Sequence, residues 1–417
     1  MKAGGGGPRL SADYQEALSW LYGTQRFGIK LGLENIRRLL AKLGLPGRGQ
    51  RFIHVAGTNG KGSVCAMVDA ICRAAGYRTG LFTSPHLVTF RERIQINGEM
   101  IPARAVSDGL LIIRQITAEW QPAPTFFETT TALALRHFAG EAAEIVVLET
   151  GMGGRLDATN AVQPVVSVIT PIGLDHQTWL GATIAKIAAE KAGIIKHGVP
   201  VVSAAQEPAA EEVLRARASE CGSEIHFITE PYTASSISLA GAHQKRNAAL
   251  AIAALRAASV DVGDGAVRDG LASLEWPARF QMWDESTIVD GAHNAASAEV
   301  LAQTWRERFG NTKAALVFGI LRDKEAAAIY RALSGIVDSV FLPEFRGDRA
   351  TDPNELAAVL QSASGEMRFT VCQSVGQAIT AAHAPGNRVL ITGSLHLAGE
   401  ALAFLRGEPA AFEECTQ

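Results

Sequence analysis

The stretch Val55-Ala56-Gly57-Thr58-Asn59-Gly60-Lys61-Gly62-Ser63 follows an apolar run, Phe52–Ala56, with the composition of a buried strand. A helical pattern follows this stretch, and its apolar face consists of Val64, Met67, Val68 and Ile71. A glycine-rich loop between a strand and a helix lets backbone N–H groups surround phosphate oxygens, and the helix N-terminus adds partial positive charge. The stretch therefore predicts a nucleotide-binding site in an α/β domain. The alternative is a glycine-rich turn that only caps a helix.

The loop departs at two positions from the general phosphate-loop pattern G-x-x-x-x-G-K-[ST]. Val55 takes the place of the first glycine, and Gly62 takes the place of the hydroxyl residue that ordinarily binds Mg²⁺. Lys61 is expected to reach the terminal phosphates as a point charge. The metal would need the hydroxyl of Ser63 or an oxygen from another residue, which argues against an ordinary GTPase or motor ATPase.

Short apolar runs alternate with helical patterns along the chain, which predicts mainly parallel sheets. The first series of predicted strands is Phe52–Ala56, Thr79–Thr83, Ile145–Glu149, Val165–Thr170 and Val199–Ser203. The second series is Ser286–Asp290, Ala314–Gly319, Val337–Leu342, Met367–Cys372 and Arg388–Thr392, separated by predicted helices at about 295–309, 323–334, 353–362 and 374–384. The pattern is interrupted at Glu275–Gln281. We therefore expect two domains, 1–278 (with 1–10 as a flexible tail) and 279–417; one large sheet with a long loop is the alternative.

Composition and charge exclude several classes of protein. Of the 417 residues, 47% are apolar and 19% are charged, as in ordinary globular chains. The net charge is −3 and there is no lysine- or arginine-rich block, so we expect no nucleic-acid partner. The five cysteines are widely spaced, which favours reduced thiols over disulfides or zinc. No apolar stretch reaches the ~18 residues of a membrane span. We expect a cytoplasmic monomer that binds small molecules and no membrane.

Polar side chains follow the carboxyl ends of three further predicted strands. Ser84 comes directly after the second strand, Glu149 ends the third, and His176 lies a few residues beyond the fourth. Ligands of open α/β sheets bind outside this edge, and these groups are reasonable Mg²⁺ ligands when ATP supplies further oxygens. Each one alone would equally fit a turn former, a helix-capping acid or a loop histidine. Because all three side chains are expected at the same edge of the sheet, the interpretation as a metal site is favoured.

Lys191 falls on the apolar face of the predicted helix Thr183–Ile194, at helical spacing from Ile184, Ile187 and Ala188. A buried ammonium group is costly, and a lysine that loses its charge can react as an amine. Addition of CO2 would convert it into an anionic oxygen ligand for a second metal. Periodicity alone favours the simpler interpretation, in which the stem covers apolar surface while the amine reaches water.

Taken together, these segments resemble the folylpolyglutamate synthase/dihydrofolate synthase family, within the Mur ligase superfamily, from about Leu18 to Glu400. The motifs are Gly57-Thr58-Asn59-Gly60-Lys61-Gly62-Ser63, Ser84-Pro85-His86-Leu87, Phe126-Phe127-Glu128, Gly153-Gly154-Arg155-Leu156-Asp157-Ala158-Thr159-Asn160, Gly173-Leu174-Asp175-His176, Glu190-Lys191-Ala192-Gly193, Arg279-Phe280-Gln281, Asp290-Gly291-Ala292-His293-Asn294 and Gly393-Ser394-Leu395. Each motif is weak alone, and the ordered set is specific.

The resemblance implies a phosphate-loop ATPase-like N-terminal domain with a mainly parallel sheet and a smaller Rossmann-like α/β C-terminal domain. It implies one Mg²⁺ at Ser84 and Glu149 and a second at His176 and a carbamylated Lys191. The implied nucleotide contacts are Gly57, Thr58, Asn59, Gly60, Lys61, Gly62, Ser63, Asn247, Arg279, Asp290 and His293. The implied catalytic residues are Lys61, His176, Lys191 and Arg279. The implied substrate contacts are Lys30, Leu31, Gly32, Thr125, Phe127, Arg155 and Asp157.

The activity that the resemblance implies is ATP-dependent addition of L-glutamate to a folate-type carboxylate, either tetrahydrofolate or dihydropteroate or both. An acyl phosphate would be the intermediate, and ADP and phosphate the products. One alternative is a cell-wall Mur ligase, although only about 50 residues precede the loop, too few for the extra domain that such ligases carry. The other is a non-catalytic ATP-binding regulator, which would need no metal-ligand set.

One position departs from the family pattern. The family usually has Pro-Gly-Arg before Phe-Gln, and this chain has Pro277-Ala278-Arg279. If the backbone there needs a positive φ, an alanine costs stability and the geometry between the domains is in question. The arginine itself is retained.

Overall fold

The computed structural model describes residues 12–27, 32–364, 367–384, 386–408 and 412–413. Its strands are β1 Arg51–Ala56, β2 Thr79–Phe82, β3 Ile94–Ile96, β4 Glu99–Met100, β5 Ile145–Glu149, β6 Val166–Ile169, β7 Val201–Ala204, β8 Ile225–Ile228, β9 Gln281–Met282, β10 Thr287–Val289, β11 Ala314–Phe318, β12 Val337–Pro343, β13 Phe369–Cys372 and β14 Arg388–Thr392. Its α-helices are α1 Ala12–Gly23, α2 Glu34–Leu43, α3 Lys61–Ala74, α4 Ala103–Thr117, α5 Phe126–Gly140, α6 Gln177–Leu180, α7 Ile184–Ala192, α8 Pro208–Glu220, α9 Ala242–Ala257, α10 Asp264–Ser273, α11 Ala295–Phe309, α12 Ala326–Ser334, α13 Pro353–Ser364, α14 Val375–Ala382 and α15 Leu395–Leu405.

The first sheet has eight strands in the order β4-β3-β2-β5-β1-β6-β7-β8. The strands from β2 to β8 in this order are parallel, and β3 and β4 form an antiparallel hairpin at one edge. β1 lies in the middle, and the chain passes first to one side of it and later to the other. This arrangement creates a crevice at the carboxyl end of β1, where open α/β sheets bind their ligands.

The second sheet has six strands in the order β13-β12-β11-β14-β10-β9, all parallel except β9. Both sheets are covered on their two faces by helices, and their central strands are almost entirely apolar and buried. The mainly parallel α/β fold class is therefore confirmed. The domain boundary after residue 278 stays a prediction.

Every strand predicted from the sequence is present, with small shifts at the ends, and the structure adds β3, β4, β8 and β9. β4, β8 and β9 are edge strands and β3 is next to the edge; short strands of mixed polarity in such places carry a weak pattern. The β3–β4 hairpin had a readable signal, because Asn97-Gly98 forms its turn and both residues have positive φ. Within the described ranges, no helix combines the length and apolar composition that crossing a bilayer requires.

Ala278 lies between the two sheets and has a φ of 54°, in the left-handed region that favours glycine. Its N–H donates to Oε1 of Gln281 at 3.0 Å, and its carbonyl accepts the N–H of Gly291 at 2.9 Å. Phe280 also has a positive φ, of 47°. Ala278 therefore has the positive φ at which an alanine is expected to lower stability. The turn is strained, and the surrounding hydrogen bonds hold it in place.

Candidate active site

The phosphate loop, residues 57–60, joins β1 to α3 at the carboxyl edge of the eight-stranded sheet. A Cβ on Gly57 would lie 1.8 Å from Oγ1 of Thr170, so only glycine fits there. The N–H groups of Thr58 and Asn59 donate to the carbonyl of Pro171 at 3.0 and 3.3 Å, which fixes the loop to the end of β6. The loop shape is thus set by its neighbours, in front of the N-terminal turn of a helix.

Two lysines contact the carbonyls of this loop. Nζ of Lys191 donates to the oxygen of Gly57 at 2.7 Å, and Nζ of Lys61 donates to the oxygen of Thr58 at 3.4 Å. Lys191 is only 4% exposed, so the interpretation that its amine reaches water is wrong. Burial, helped by the charge of Lys61, lowers the pKa of Lys191 to about 7. A sizeable fraction of this amine is therefore neutral near pH 7.

Ser84 and Glu149 lie together beside the first turn of α3. The backbone N–H of Ser84 donates to Oε2 of Glu149 at 3.1 Å, and a Cβ on Gly62 would lie 3.6 Å from the same oxygen. Burial raises the pKa of Glu149, and the charge of Lys61 opposes this rise. A hydroxyl residue and a buried carboxylate are thus placed next to the lysine expected to bind phosphate.

His176 precedes α6, with a φ of 50°. Burial of part of its ring lowers its pKa to about 4, although Asp175 opposes this shift, so the imidazole is neutral and able to bind a metal. The charges of Lys61 and Lys191 contribute to the lowering of this pKa, which places all three groups in one electrostatic neighbourhood.

Asn247 and Ser63 are close to the loop but are already hydrogen-bonded. The amide of Asn247 lies against Gly60, where a Cβ would be 3.0 Å from Oδ1, and it donates to Oε1 of Gln244 at 2.9 Å. Gln244 in turn donates to Oγ of Ser63 at 3.4 Å. Ser63 is buried, so it is a poorer candidate for a metal ligand than Ser84.

Arg279, Asp290 and His293 come from the six-stranded half. Asp290 accepts the N–H groups of Phe280 at 2.7 Å and Ala292 at 2.8 Å, so its carboxylate holds the strained turn that carries Arg279. Burial raises the pKa of Asp290 and lowers that of His293. Arg279 lies close enough to Glu149 to lower the pKa of that carboxyl, so both halves contribute charge to the same site.

The structure adds two residues that the sequence analysis did not assign to the site, Asp175 and Lys324. Nζ of Lys324 lies 2.7 Å from Oδ1 of Asp175, and each side chain is only 11% exposed. Burial alone would raise the pKa of Asp175, yet His176, Lys324 and His293 together hold it well below its ordinary value. This ion pair joins the two halves beside His176. Asp175 belongs to a recognised motif, but a single lysine 149 positions away carries no sequence signal.

The structure describes some of the residues expected to bind the folate-type substrate but not all of them. Lys30 and Leu31 lie outside the described residues. The ring centroid of Phe127 lies 5.8 Å from that of Phe82, and a Cβ on Gly151 would lie 2.6 Å from Cζ of Phe127. Asp157 accepts the N–H groups of Gly151 at 2.9 Å and Met152 at 3.0 Å, so Phe127 and Asp157 meet at the same segment.

Three other expected substrate contacts have local partners. Thr125 caps α5 in a reciprocal capping box with Glu128. Arg155 is exposed and pairs with Oε1 of Glu190 at 2.8 Å, a contact that a charged ligand can replace at small cost. Gly32 lies directly before α2, where a Cβ would lie 2.4 Å from Oε2 of Glu34. Their proposed roles in binding stay predictions.

Residues 55–218 match the Mur ligase middle domain, and residues 278–395 match the glutamate ligase domain of Mur ligases. The chain is 37% identical to the dihydrofolate synthase/folylpolyglutamate synthase of Bacillus subtilis, over 92% of this chain and 97% of that protein. The chain belongs to this family of Mur ligases. It is therefore an ATP-dependent ligase, which decides against a non-catalytic ATP-binding regulator or a cell-wall ligase.

Solved structures of relatives agree with the family assignment. The folylpolyglutamate synthase of Mycobacterium tuberculosis, complexed with ADP and AMPPCP, has a TM-score of 0.86 at 34% identity, covering 94% of this chain and 99% of that one. The bifunctional folylpolyglutamate synthase/dihydrofolate synthase of Yersinia pestis, complexed with AMPPNP and Mn ion, has a TM-score of 0.83 at 30% identity, covering 96% and 100%. ATP, a divalent metal and small-molecule substrates therefore belong to the chemistry of this family.

Proposed function

We propose that this ligase joins L-glutamate to tetrahydrofolate, to dihydropteroate or to both, through an acyl phosphate. The observation that carries the proposal is the pair of lysine side chains, Lys61 and Lys191, whose Nζ atoms contact carbonyls of the phosphate loop. Among the described residues neither Nζ has a carboxylate within ion-pair distance. The charge of Lys61 is therefore available to an anionic ligand, as phosphoryl transfer requires, and the amine of Lys191 is available for modification.

The chemistry follows from the poor reactivity of a carboxylate, whose leaving group would be oxide. A carboxylate oxygen of the substrate attacks the γ-phosphorus of ATP, the bond to the bridging oxygen breaks, and ADP leaves. The amine of glutamate then attacks the acyl carbon, phosphate leaves, and the surplus proton passes to solvent. Lys61 and Arg279 would bind the phosphoryl oxygens, so that positioning and charge neutralisation supply most of the catalysis.

Ser84 and Glu149 would hold one Mg²⁺, and His176 with a modified Lys191 would hold a second. The residues fit a cation, because the carboxylate of Glu149 is buried beside Ser84; burial raises its pKa, and a bound cation would oppose that rise. The described residues contain no group of three His, Cys, Asp or Glu side chains able to hold a metal. ATP and water would have to complete the coordination. When bound, Mg²⁺ supplies neutralisation of phosphate charge.

The proposed modification of Lys191 is carbamylation. Its neutral amine adds to CO2, a nitrogen–carbon bond forms, and one proton is lost to solvent, which leaves an N–H able to donate to Gly57. The lowered pKa of Lys191 supports this chemistry, since only the neutral amine reacts. Incubation with ¹³C-bicarbonate should give a carbamate resonance by ¹³C NMR. The signal should disappear in Lys191→Ala and persist in Lys186→Ala, an exposed lysine of the same helix; an unchanged signal in Lys191→Ala would refute the assignment.

For the acceptor, we propose that Phe127 and Asp157 bind the pterin-bearing part of the substrate, with Thr125, Arg155 and Gly32 near by. We further propose a cytoplasmic monomer without nucleic-acid or membrane partners. Light scattering of the purified chain should then give a mass close to 44.2 kDa. A mass near twice this value would contradict the monomer.

The experiment that tests the activity offers dihydropteroate and tetrahydrofolate separately, each with glutamate and Mg-ATP, and identifies the products by mass. We expect phosphate release that requires both the acceptor and glutamate, and a product heavier by one glutamyl residue with at least one acceptor. Phosphate release that ignores either substrate, or no new product with both acceptors, would refute the proposed function.

A further inference from the structure

The loop that carries Ser84, residues 84–90, belongs to the eight-stranded half but is seated on the six-stranded half. Val88 is buried in the apolar cluster that includes Leu397, Ala398 and Phe412. The carbonyl of Leu87 lies so close to α15 that a Cβ on Gly399 would be 1.9 Å from its oxygen. The backbone of this loop is therefore in direct contact with α15.

Glu413 binds the same loop with each of its polar groups. Its N–H donates to the carbonyl of Val88 at 2.7 Å. Its carboxylate oxygen Oε2 accepts the N–H of Phe90 at 2.6 Å, Oγ1 of Thr89 at 3.0 Å and the hydroxyl of Tyr14 at 3.2 Å. A charged acceptor with three donors is a strong anchor compared with a neutral hydrogen bond.

The ring of His86 also contacts Glu413, through its Nε2 atom. Nε of Arg93 donates to Nδ1 of His86 at 2.9 Å, so Nδ1 is the acceptor and the proton lies on Nε2. Nε2 lies 3.1 Å from the carbonyl oxygen of Glu413 and donates to it. Arg93, His86 and Glu413 thus form a directional chain, and its middle member, His86, is two residues from Ser84.

Hydrogen bonds within the loop fix its conformation but not its position relative to the rest of the molecule. Glu92 accepts the N–H groups of Leu87, Val88 and Thr89 at 2.7 to 3.1 Å, all within one short segment. On the side of the eight-stranded half the segment is held by Phe90, which is buried edge-on against Phe126, and by the bond from Ser84 to Glu149. On the side of the six-stranded half it is held by the contacts of Val88, Gly399 and Glu413.

We infer that Phe412–Glu413 is a C-terminal clamp that positions Ser84 for the metal, with Glu413 as a positioning residue remote from the reacting atoms. The inference rests on the proposed role of Ser84. Residues that orient a metal ligand typically change metal affinity by about 10- to 100-fold when they are removed. The clamp acts through an intervening loop, so we expect an effect at the lower end of this range.

The test measures the affinity for Mn²⁺ by electron paramagnetic resonance titration with ADP present, beside the Mg²⁺ dependence of turnover, in Glu413→Ala, Glu413→Gln and Gly399→Ala. Glu413→Ala should raise the half-saturating Mg²⁺ concentration by about tenfold. Glu413→Gln retains an acceptor oxygen of the same reach but loses its charge, so its metal requirement should lie between that of Glu413→Ala and that of the unaltered enzyme. Gly399→Ala pushes on Leu87 from the other side and should raise the Mg²⁺ requirement in the same direction. Glu408→Ala, an exposed glutamate near by, is the matched control and should change nothing.

Ser84→Ala separates failure of the clamp from failure of the proposed metal site. A folded Glu413→Ala with ordinary Mg²⁺ dependence, beside a shifted Ser84→Ala, would overturn the clamp alone. An unshifted Ser84→Ala would overturn the role of Ser84, and the clamp with it. If Glu413→Ala does not fold, Tyr14→Phe removes one donor to the carboxylate and must raise the Mg²⁺ requirement for the inference to stand.

Discussion

The two halves of the molecule hold the lysines of the site differently. On the eight-stranded side, Lys191 and Lys61 donate to carbonyls of the phosphate loop. On the six-stranded side, Lys324 is neutralised by Asp175 at 2.7 Å. An ammonium group that has a carboxylate partner contributes to structure, whereas one held only by carbonyls keeps its charge or its amine for a ligand. Lys61 and Lys191 therefore lie in the part of the site expected to bind phosphate, whereas Lys324 lies in the ion pair that joins the two halves.

The largest effect that this comparison predicts is the loss of turnover in Lys191→Ala. We expect turnover to fall by about 10³-fold, the scale for removing one preorganised charge-stabilising group, while ADP affinity changes by less than about threefold because Lys61 remains. Steady-state kinetics and calorimetric titration measure the two quantities. Lys186→Ala on the same helix is the control. Near-normal turnover in Lys191→Ala would remove the second-metal role.

A second prediction concerns pH. Because the pKa of Lys191 falls from its ordinary 10.5 to about 7 in the folded chain, the unfolded chain binds more protons between these two values. The free energy of unfolding should therefore rise with pH across this window, relative to Lys191→Met, by at most about 1.4 kcal/mol per pH unit. Denaturant unfolding in CO2-free buffer checks the slope. A difference between the two proteins that stays flat from pH 7 to 10 would contradict the burial of an uncompensated amine.

A further prediction concerns the ion pair between Asp175 and Lys324, which is tested with Asp175→Asn, Lys324→Met and the double variant. A double-mutant cycle should give a coupling energy of about 1–2 kcal/mol, because both side chains are nearly buried. The exposed pair Arg215–Glu211, with the same 2.7 Å separation, should give about 0.5 kcal/mol or less. Equal coupling energies for the two pairs would show that Asp175–Lys324 does not join the halves.

The smallest effect is expected for the glycine variant of Ala278, a residue that lies between the two regions. Ala278→Gly relieves a positive φ but loses a buried methyl group, so the free energy of unfolding should change by less than about 1 kcal/mol. Ala278→Val should lower it by more than about 2 kcal/mol, because a β-branched residue resists this backbone conformation. Similar stabilities for the two variants would mean that the turn relaxes.

The sequence predicted the parallel strands and the phosphate loop well, because both depend on local composition. Helical periodicity correctly placed Lys191 on an apolar face, but the interpretation that its amine reaches water is wrong, since periodicity does not tell how deeply a face is covered. The β3–β4 hairpin was predictable from its Asn97-Gly98 turn, although its two strands are too short to carry a pattern. The pairs Asp175–Lys324 and His86–Glu413 join residues far apart in the chain, and a single sequence carries no record of such contacts.

The central claim is that donors from both sides of β1, at the carboxyl edge of the first sheet, converge beside the outer phosphates of a nucleotide. A crystal grown with ADP, Mn²⁺ and bicarbonate, measured at the manganese absorption edge, tests it most directly. We predict anomalous peaks at inner-sphere distance from Ser84 and Glu149, and from His176 and a carbamylated Lys191. Manganese bound elsewhere, with these four side chains outside its coordination sphere, would contradict the account.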